Sequence, residues 1–380
     1  MIILADKSNP FIEEACKNLG NVRVFESTSF DQAMLRDCDV LLCRSTIKVN
    51  KELLQKSSVR FVATATSGFD HVDVRYLKQR GIGFAYAPGC NARSVAEYVI
   101  SALLLVAARN RFELRGRSVG IIGVGCAGTE VERIVRVFDM IPVLNDPPLA
   151  AKTHDSRYRP LREALAADIV TLHVPLTESG PWPTMKMIGK DEFTAMQEGA
   201  IFINTSRGGV VDHNALIETV RRGKLGAVIL DVHENEPAFR TDVLDYVDIA
   251  TPHVAGHSFD GKIRGTHMVY EALCAFLGAT PTWNYRAHVQ AGIRLPRPAL
   301  DAGLPLSYRL FRITRQVCPI DQDDRKLREL ANLPDSERGP AFHRYRDNYT
   351  ARREFCAYTL TGDFQPDEVP ILEAMGFEID

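Results

Sequence analysis

With 380 residues and 45% hydrophobic content, the chain is long enough for two or three buried cores, so a multidomain globular protein is expected. Charged residues make up 25% and the formal net charge is -2, so no global field recommends nucleic acid or an anionic membrane as a partner. The eight cysteines form no C-x-x-C pair and lie largely in apolar runs such as Val40 to Cys43, which argues against a disulfide framework or a zinc site and leaves no metal expected.

The N-terminus reads as a first β-strand, Ile2 to Ala5, not as a basic region leading into a long apolar stretch, so no signal peptide is read and a cytoplasmic location is expected. A helix near Pro10 to Leu19 and strands at Val22 to Phe25, Val40 to Cys43, Phe61 to Ala65 and Phe84 to Ala85 follow. Short strands alternating with helices predict a parallel, doubly wound sheet. A helix apolar nearly all round then runs from Asn91 to about Arg109, and its apolar core carries Glu97 and is too short to span a bilayer. The alternation restarts with strand Ser118 to Ile122, a glycine turn, a helix from about Thr129 to Phe138 and strand Val143 to Asn145. Further strands are read at Ile169 to His173, Ile201 to Asn204, Ala227 to Leu230 and Ile249 to Ala250. Two successive parallel α/β units predict two lobes with a cleft between them. After Thr266 a helix runs through Leu277, and the Pro-rich Arg294 to Pro305 opens a separate C-terminal module. The arginine-rich stretch Arg338 to Arg353 reads, on charge alone, as a solvated helical face.

In chain numbers, the expected organisation is 1–92 with 257–280 as a substrate-binding lobe, 93–256 as a dinucleotide-binding Rossmann domain, and 281–380 as a C-terminal α+β domain. The fold class is thus α/β, two doubly wound parallel-sheet lobes plus that module.

The glycine turn carries the clearest chemistry. Gly120-Ile-Ile-Gly123-Val-Gly125-Cys126-Ala127-Gly128 sets G-x-G-x-x-G directly after a strand and before a helix. Gly123 permits the tight turn, Gly125 lets backbone approach a pyrophosphate, and Gly128 allows helix to pack on strand. Asp146 ends the next strand, where the fold places an acid for the ribose hydroxyls. Its carboxylate repels a 2′-phosphate, so NAD is expected over NADP. Pro147 and Pro148 stiffen the loop after it.

Three further residues follow strand ends, where ligand sites of α/β sheets lie. Arg207 in Asn204-Thr-Ser-Arg-Gly-Gly209 offers a fork for a carboxylate. Glu236 lies in Asp231-Val-His-Glu-Asn-Glu-Pro237 and His253 in Thr251-Pro-His-Val-Ala-Gly256. Oxidising an alcohol by hydride loss needs a base for the hydroxyl proton, and histidine titrates nearest neutrality, with a carboxylate to orient it. Each alone has a structural explanation; together, after a dinucleotide fingerprint, they point to hydride transfer.

The order G-x-G-x-x-G, Asp146, His173-Val-Pro-Leu-Thr177, Asn204-Thr-Ser-Arg-Gly208, Glu236-Pro237 and Pro252-His-Val-Ala-Gly256 resembles the D-isomer-specific 2-hydroxyacid dehydrogenase family over about residues 1–280. The resemblance implies catalytic roles for Arg207, Glu236 and His253. It also implies cofactor contacts at Cys126, Ala127, Pro175, Thr205, Ser206, Asp231 and Gly256. Leu42-Cys-Arg-Ser-Thr46, Thr64-Ala-Thr-Ser-Gly-Phe-Asp-His-Val-Asp73, Ala87-Pro-Gly-Cys-Asn91, Gly261-Lys-Ile-Arg-Gly-Thr266, Phe342-His-Arg-Tyr-Arg-Asp-Asn-Tyr349 and Arg352-Arg-Glu354 narrow it to a branch acting on a phosphorylated hydroxyacid. For that branch the implied reaction is oxidation of 4-phospho-D-erythronate to 3-hydroxy-2-oxo-4-phosphooxybutanoate in vitamin B6 biosynthesis. Substrate contacts are implied at Ser45, Thr66 and His257, and a homodimer through the C-terminal domain. Amides near Ser67 and Gly68 are expected to share the substrate carboxylate, and Arg44 and Lys262 to add charge for the phosphate. His257 departs from the family, which usually carries tyrosine there, and so does Lys7-Ser8, where the family is more acidic. A glyoxylate or hydroxypyruvate reductase and a dinucleotide-sensing, non-catalytic corepressor-like protein remain as alternatives.

Overall fold

The computed structural model describes residues 1–301, 303–349 and 352–380. The chain divides into two compact units, Met1–Asn91 with Ser258–Gln290, and Ala92–His257 with Ala291–Asp380. Among the described residues, no helix is long and apolar enough to cross a membrane.

In the first unit, strands β1 (Ile2–Asp6), β2 (Asn21–Phe25), β3 (Val40–Cys43), β4 (Phe61–Thr64) and β5 (Gly83–Tyr86) form a parallel sheet in the order β2-β1-β3-β4-β5. The chain order reverses beside β1, between β2 and β3, which opens a crevice at the carboxyl ends of the strands. Strands β3 and β4 are buried along their whole length, as parallel strands covered on both faces must be. One covering element is the helix Phe259–Leu277, longer at its start than the apolar pattern after Thr266 suggests. Ser258 caps it by accepting from the Gly261 amide, and Gly265 lets it press on the end of β4, where a Cβ would stand 2.9 Å from the Ala65 carbonyl oxygen. Glycines that look like breakers in the sequence serve close packing here. The expected helix at Pro10 to Leu19 shrinks to Ile12–Cys16, because Phe11 takes a left-handed conformation and ends it early on the N-terminal side.

In the second unit, β6 (Ser118–Ile122), β7 (Ile141–Asn145), β8 (Ile169–Leu172), β9 (Ala200–Asn204), β10 (Leu225–Leu230) and β11 (Ile249–Ala250) form a parallel sheet ordered β11-β10-β9-β8-β6-β7. Its central strands β8 and β9 are buried along their whole length and rich in Ile, Val, Leu and Phe. The helix Ala92–Asn110 packs on it, buried at every residue from Val95 to Ala107, Glu97 included. The helix Cys126–Val137 begins three residues before the expected Thr129, since extended Gly125 already directs the chain into it. Pro147 and Pro148 are not loop stiffeners: they open a short helix, Pro147–Thr153, capped by Asp146, the position at which proline's missing N–H costs nothing.

Residues 291–380 cluster with this second unit and carry their own sheet, β12 (Ile293–Pro296), β13 (Tyr358–Thr361) and β14 (Glu378–Ile379), all parallel. The helices Leu306–Thr314, Ile320–Ala331 and Asp335–Asp347 lie between β12 and β13. The arginine-rich stretch is not simply a solvated face. Arg352 is buried, and its guanidinium donates to Glu97 (2.9 Å) and to the carbonyls of Ser94 (2.5 Å) and Ala255 (3.2 Å). Glu97 in turn accepts from the Phe355 amide at 2.9 Å. This pair explains how an acid sits inside an apolar helix: a buried charge persists only when paired and hydrogen-bonded. Asp323, on the helix Ile320–Ala331, accepts from the hydroxyls of Tyr345 (2.9 Å) and Tyr349 (3.0 Å).

Two stability predictions follow from this packing. A Cβ on Gly128 would stand 2.0 Å from the Gly123 carbonyl oxygen, whereas one on Gly125 meets nothing within 4 Å. Gly128→Ala is therefore expected to cost about 1–3 kcal/mol in urea unfolding, and Gly125→Ala to stay within about 0.5 kcal/mol of the parent. Burial pushes the Asp323 carboxyl up to about 6 in spite of its tyrosine partners. A folded-state value above the unfolded one contributes stability that is present at low pH and lost as pH rises through about 6. Asp323→Asn lacks this loss, so the difference in unfolding free energy should move in the variant's favour by about 3 kcal/mol between acidic and neutral pH. A pH-independent difference would contradict it.

Candidate active site

Every cofactor or catalytic residue expected in the second unit lies just past the carboxyl end of a strand of one sheet. The glycine turn leaves β6, where the strand order reverses between β7 and β8. Gly123 has a φ of 89°, and a Cβ there would meet the His173 carbonyl, at the end of β8, at 2.7 Å. Only glycine tolerates both conditions. The helix Cys126–Val137 has no side-chain cap at its start, so the amides of Cys126, Ala127 and Gly128 lack a partner from a capping residue, and the space beside Gly125 is open. An uncapped helix N-terminus behind a glycine approach path is fit for a pyrophosphate.

Asp146, past β7, is nearly buried, and both carboxylate oxygens already accept backbone amides: Oδ2 from Val124 in the glycine turn (2.8 Å) and Oδ1 from Leu149 (2.9 Å). Its first role is to tie turn to strand, with each oxygen keeping a further acceptor direction for a ribose hydroxyl. Pro175, past β8, is exposed, and its carbonyl accepts from the Thr184 hydroxyl at 2.5 Å. Thr205 Oγ1 lies 3.3 Å from His173 Nδ1.

Asn204, the last residue of β9, organises the turn that bears Arg207. Its Oδ1 accepts from the Ser206 amide (3.0 Å) and hydroxyl (2.7 Å), and its Nδ2 donates to the Arg207 carbonyl (3.0 Å). Such an Asx turn supplies the backbone with partners that strand pairing no longer offers. The half-buried Arg207 guanidinium donates to the Ser206 carbonyl at 2.8 Å. Directly after it, a Cβ on Gly208 would fall 2.0 Å from the His233 carbonyl oxygen, so the Arg207 turn lies against the loop that carries Glu236.

That loop follows β10 and opens with Asp231, 1% exposed. Asp231 Oδ1 accepts from the Thr251 hydroxyl (2.6 Å) and the Val254 amide (2.8 Å), and Oδ2 from the Ala255 amide (2.9 Å). Burial pushes the Asp231 carboxyl up, against the pull of His253 and these donors. Thr251, whose hydroxyl donates to Asp231, accepts a hydrogen bond from the Tyr98 hydroxyl at 2.6 Å. His253 sits at φ 58°, its amide donating to the Asp231 carbonyl at 2.7 Å. A histidine held in the left-handed region is uncommon, and here the surrounding bonds over-determine it.

His253 and Glu236 meet. Nδ1 lies 2.7 Å from Glu236 Oε2, and Glu236 Oε1 accepts from the His233 amide at 2.7 Å. Burial opposes ionisation of Glu236, but the charge and hydrogen bond of His253, with His233 and Arg346, hold its carboxyl down at about 2. An ionised carboxylate only accepts, so Nδ1 carries the proton and the neutral ring keeps its lone pair on Nε2. The result is an oriented base with a partner ready for its charged form. Gly256 ends this loop, and the ring of His257 stands edge-on to Tyr349, centroids 5.9 Å apart.

In the first unit, Ser45 is exposed past β3, and Thr66, Ser67 and Gly68 follow β4. The Thr66 hydroxyl donates to the Gly68 carbonyl at 2.7 Å and contacts the Thr64 hydroxyl at 2.8 Å, so its hydrogen is already committed within the loop. Ser67 Oγ accepts from the Gly89 amide at 3.1 Å, and Arg44 donates to the Ala65 carbonyl at 3.2 Å. Lys7 pairs with Glu26 at 2.8 Å and Ser8 with Asp6 at 2.6 Å, which gives the unusual N-terminal pair a local, structural explanation.

Asn204, Gly208, His233, Thr251 and Tyr98 are organisers that pattern reading passes over. Asn204-x-Ser206 spacing and the Gly208-Gly209 pair are visible signals for the first two; Tyr98 lies far away in the chain and has none. Among the described residues, no group of three or more His, Cys, Asp or Glu is placed to hold a metal ion.

Comparison with known proteins places these features in a family. Residues 106–255 match the family described as D-isomer specific 2-hydroxyacid dehydrogenase, NAD binding domain. The erythronate-4-phosphate dehydrogenase of Salinibacter ruber is 42% identical over 377 residues, covering 96% of this chain and 95% of its own, and that of Escherichia fergusonii is 39% identical over 369 residues, with the same two coverages. Among solved structures, D-lactate dehydrogenase from Aquifex aeolicus complexed with NAD and lactic acid is similar at TM-score 0.61 and 26% identity, over 73% of this chain and 96% of that one. The TT0316 protein of Thermus thermophilus is similar at TM-score 0.64 and 25% identity, over 74% and 98%. Each solved structure is thus nearly fully matched while part of this chain has no counterpart in it, whereas the two dehydrogenases match from end to end. The chain is an NAD-dependent dehydrogenase, and it belongs to the erythronate-4-phosphate dehydrogenase family of D-isomer-specific 2-hydroxyacid dehydrogenases.

Proposed function

We propose that this protein oxidises the C2 hydroxyl of erythronate 4-phosphate, and that Arg207, Glu236 and His253 carry the reaction. The carrying observation is the 2.7 Å bond from His253 to an ionised Glu236, which leaves Nε2 as the acceptor for the hydroxyl proton. NAD, when bound, supplies the acceptor for the hydride that leaves C2. Gly123, Gly125, Cys126, Ala127, Gly128, Asp146, Pro175, Thr205, Ser206, Asp231 and Gly256 are assigned to holding it. As the hydroxyl proton passes to Nε2, Glu236 stabilises the imidazolium, and the alcohol becomes a ketone. Arg207 grips the neighbouring carboxylate with its planar fork. Ser45, Thr66, Ser67, Gly68 and His257 are assigned to the substrate, with Arg44 and Lys262 supplying charge for its phosphate. The segment 281–380 is assigned to a homodimer, and the protein to the cytoplasm.

Turnover on erythronate 4-phosphate, unphosphorylated erythronate and glycerate tests the substrate, with the phosphorylated compound expected to have by far the highest kcat/KM. Equal values would leave a less specific hydroxyacid reductase as the better reading. His253→Ala is expected to lower kcat by about 100- to 10,000-fold at neutral pH, and Arg207→Lys to lower kcat/KM more than kcat. Unchanged turnover in His253→Ala would remove the base assignment. Glu236 remains a carboxylate down to about pH 2, so it does not itself titrate in the working range. Removing its charge in Glu236→Gln disfavours the imidazolium, and the acidic limb of kcat/KM for oxidation should move to lower pH while kcat falls. A limb that stays in place or moves up would count against the pairing.

A further inference from the structure

The ring of His233, a residue 2% exposed, takes no part in the proton and hydride transfers above, yet the residue touches each of the three loops that carry the assigned residues. Its amide donates to Glu236 Oε1 at 2.7 Å. Its carbonyl is the surface on which the Arg207 turn rests, 2.0 Å from where a Cβ on Gly208 would be. Its ring Nε2 lies 2.9 Å from the carbonyl oxygen of Thr251, two residues before His253. One face of the ring packs on Phe239, centroids 5.5 Å apart, and Phe239 packs on Phe342 at the same distance.

The ring bond fixes a hydrogen on Nε2. A carbonyl oxygen only accepts, so Nε2 must carry the hydrogen, and Nδ1, buried with no hydrogen-bond partner, is the bare nitrogen. Burial holds the ring neutral, against the pull of Glu236, the Thr251 carbonyl and Asp231, with His253 helping to keep it uncharged.

Resting on the assignment of Arg207, Glu236 and His253 as the catalytic set, we infer that His233 is a positioning residue: its backbone is fixed between Glu236 and the Arg207 turn, and its ring, as the neutral Nε2–H tautomer, braces the loop that bears His253 through the Thr251 carbonyl. It touches neither substrate nor cofactor in this role. Its effect is on the placement of Nε2 of His253, to which proton transfer is sensitive over distances well below those that binding detects.

The test uses the full chain with two substitutions. His233→Gln retains an N–H donor at similar reach that does not titrate, and His233→Leu keeps bulk but leaves no donor for the Thr251 carbonyl. Expected for His233→Leu is a fall in kcat of about 10- to 100-fold, with KM for NAD and for erythronate 4-phosphate each held within about threefold. His233→Gln should recover most of the lost kcat. Circular dichroism and urea unfolding confirm that both variants fold. Wild-type kcat in His233→Leu, or equal impairment in both variants when both are folded, overturns the inference, as does a loss expressed in KM alone. If His233→Leu does not fold, His233→Gln decides: near-parental kcat supports the donor role, and a loss of tenfold or more in a folded His233→Gln overturns it. His253→Ala run alongside separates the two levels, since retained turnover there sinks the catalytic assignment itself, while its loss beside neutral His233 variants sinks only the bracing role.

Discussion

One buried carboxylate governs the candidate site. Asp231 accepts from the Thr251 hydroxyl and from the amides of Val254 and Ala255, and its own carbonyl accepts from the His253 amide. Four donors from one loop therefore converge on a single residue of the preceding loop. Charge-assisted bonds in a medium of low polarity are strong, and leaving one unmade is costly. The loop has few other places to go. His253 reaches its left-handed conformation, and its ring reaches Glu236, because the backbone on either side is already held. Family resemblance assigns Asp231 to the cofactor; the hydrogen bonds make it a scaffold first.

Close approach is the second constraint. Parallel strands bring loop after loop to the same sheet edge, and the loops fit only if some positions lack a side chain. Gly128 against Gly123, Gly123 against His173 and Gly208 against His233 each place backbone on backbone at distances no Cβ allows. The first two shape the cofactor turn, and the third seats the Arg207 turn on the Glu236 loop. Gly125 differs: it borders open space, so what it makes room for is not part of the chain.

The C-terminal segment is more than an appendage to this unit. Arg352 donates to the Ala255 carbonyl while Asp231 holds the Ala255 amide, so Ala255 is held through the peptide groups on both of its sides. Asp324 accepts from the Ala250 amide at the end of the edge strand β11, supplying the partner that a further strand would have given. Tyr349, fixed through its hydroxyl to Asp323, stands against His257. The C-terminal segment therefore shapes the loop that bears His253 and the surroundings of His257.

Much of this was readable from the chain alone, for local reasons. Strand and helix alternation, the strand-turn-helix context of Gly123, Gly125 and Gly128, and the position of Arg207, Glu236 and His253 after strands all depend on neighbours in sequence, where period and spacing are reliable guides. The helix starts at Cys126 and Pro147 escape the pattern because glycine and proline act through backbone geometry that composition does not display. What only the tertiary structure decided involves partners far apart in the chain: the burial of Arg352 against Glu97, the turning of Thr66's proton toward Gly68, the pairing that ionises Glu236, and the tautomer of His233. A side chain's protonation and direction are set by what surrounds it in space, and residue type determines only which of those states are open to it.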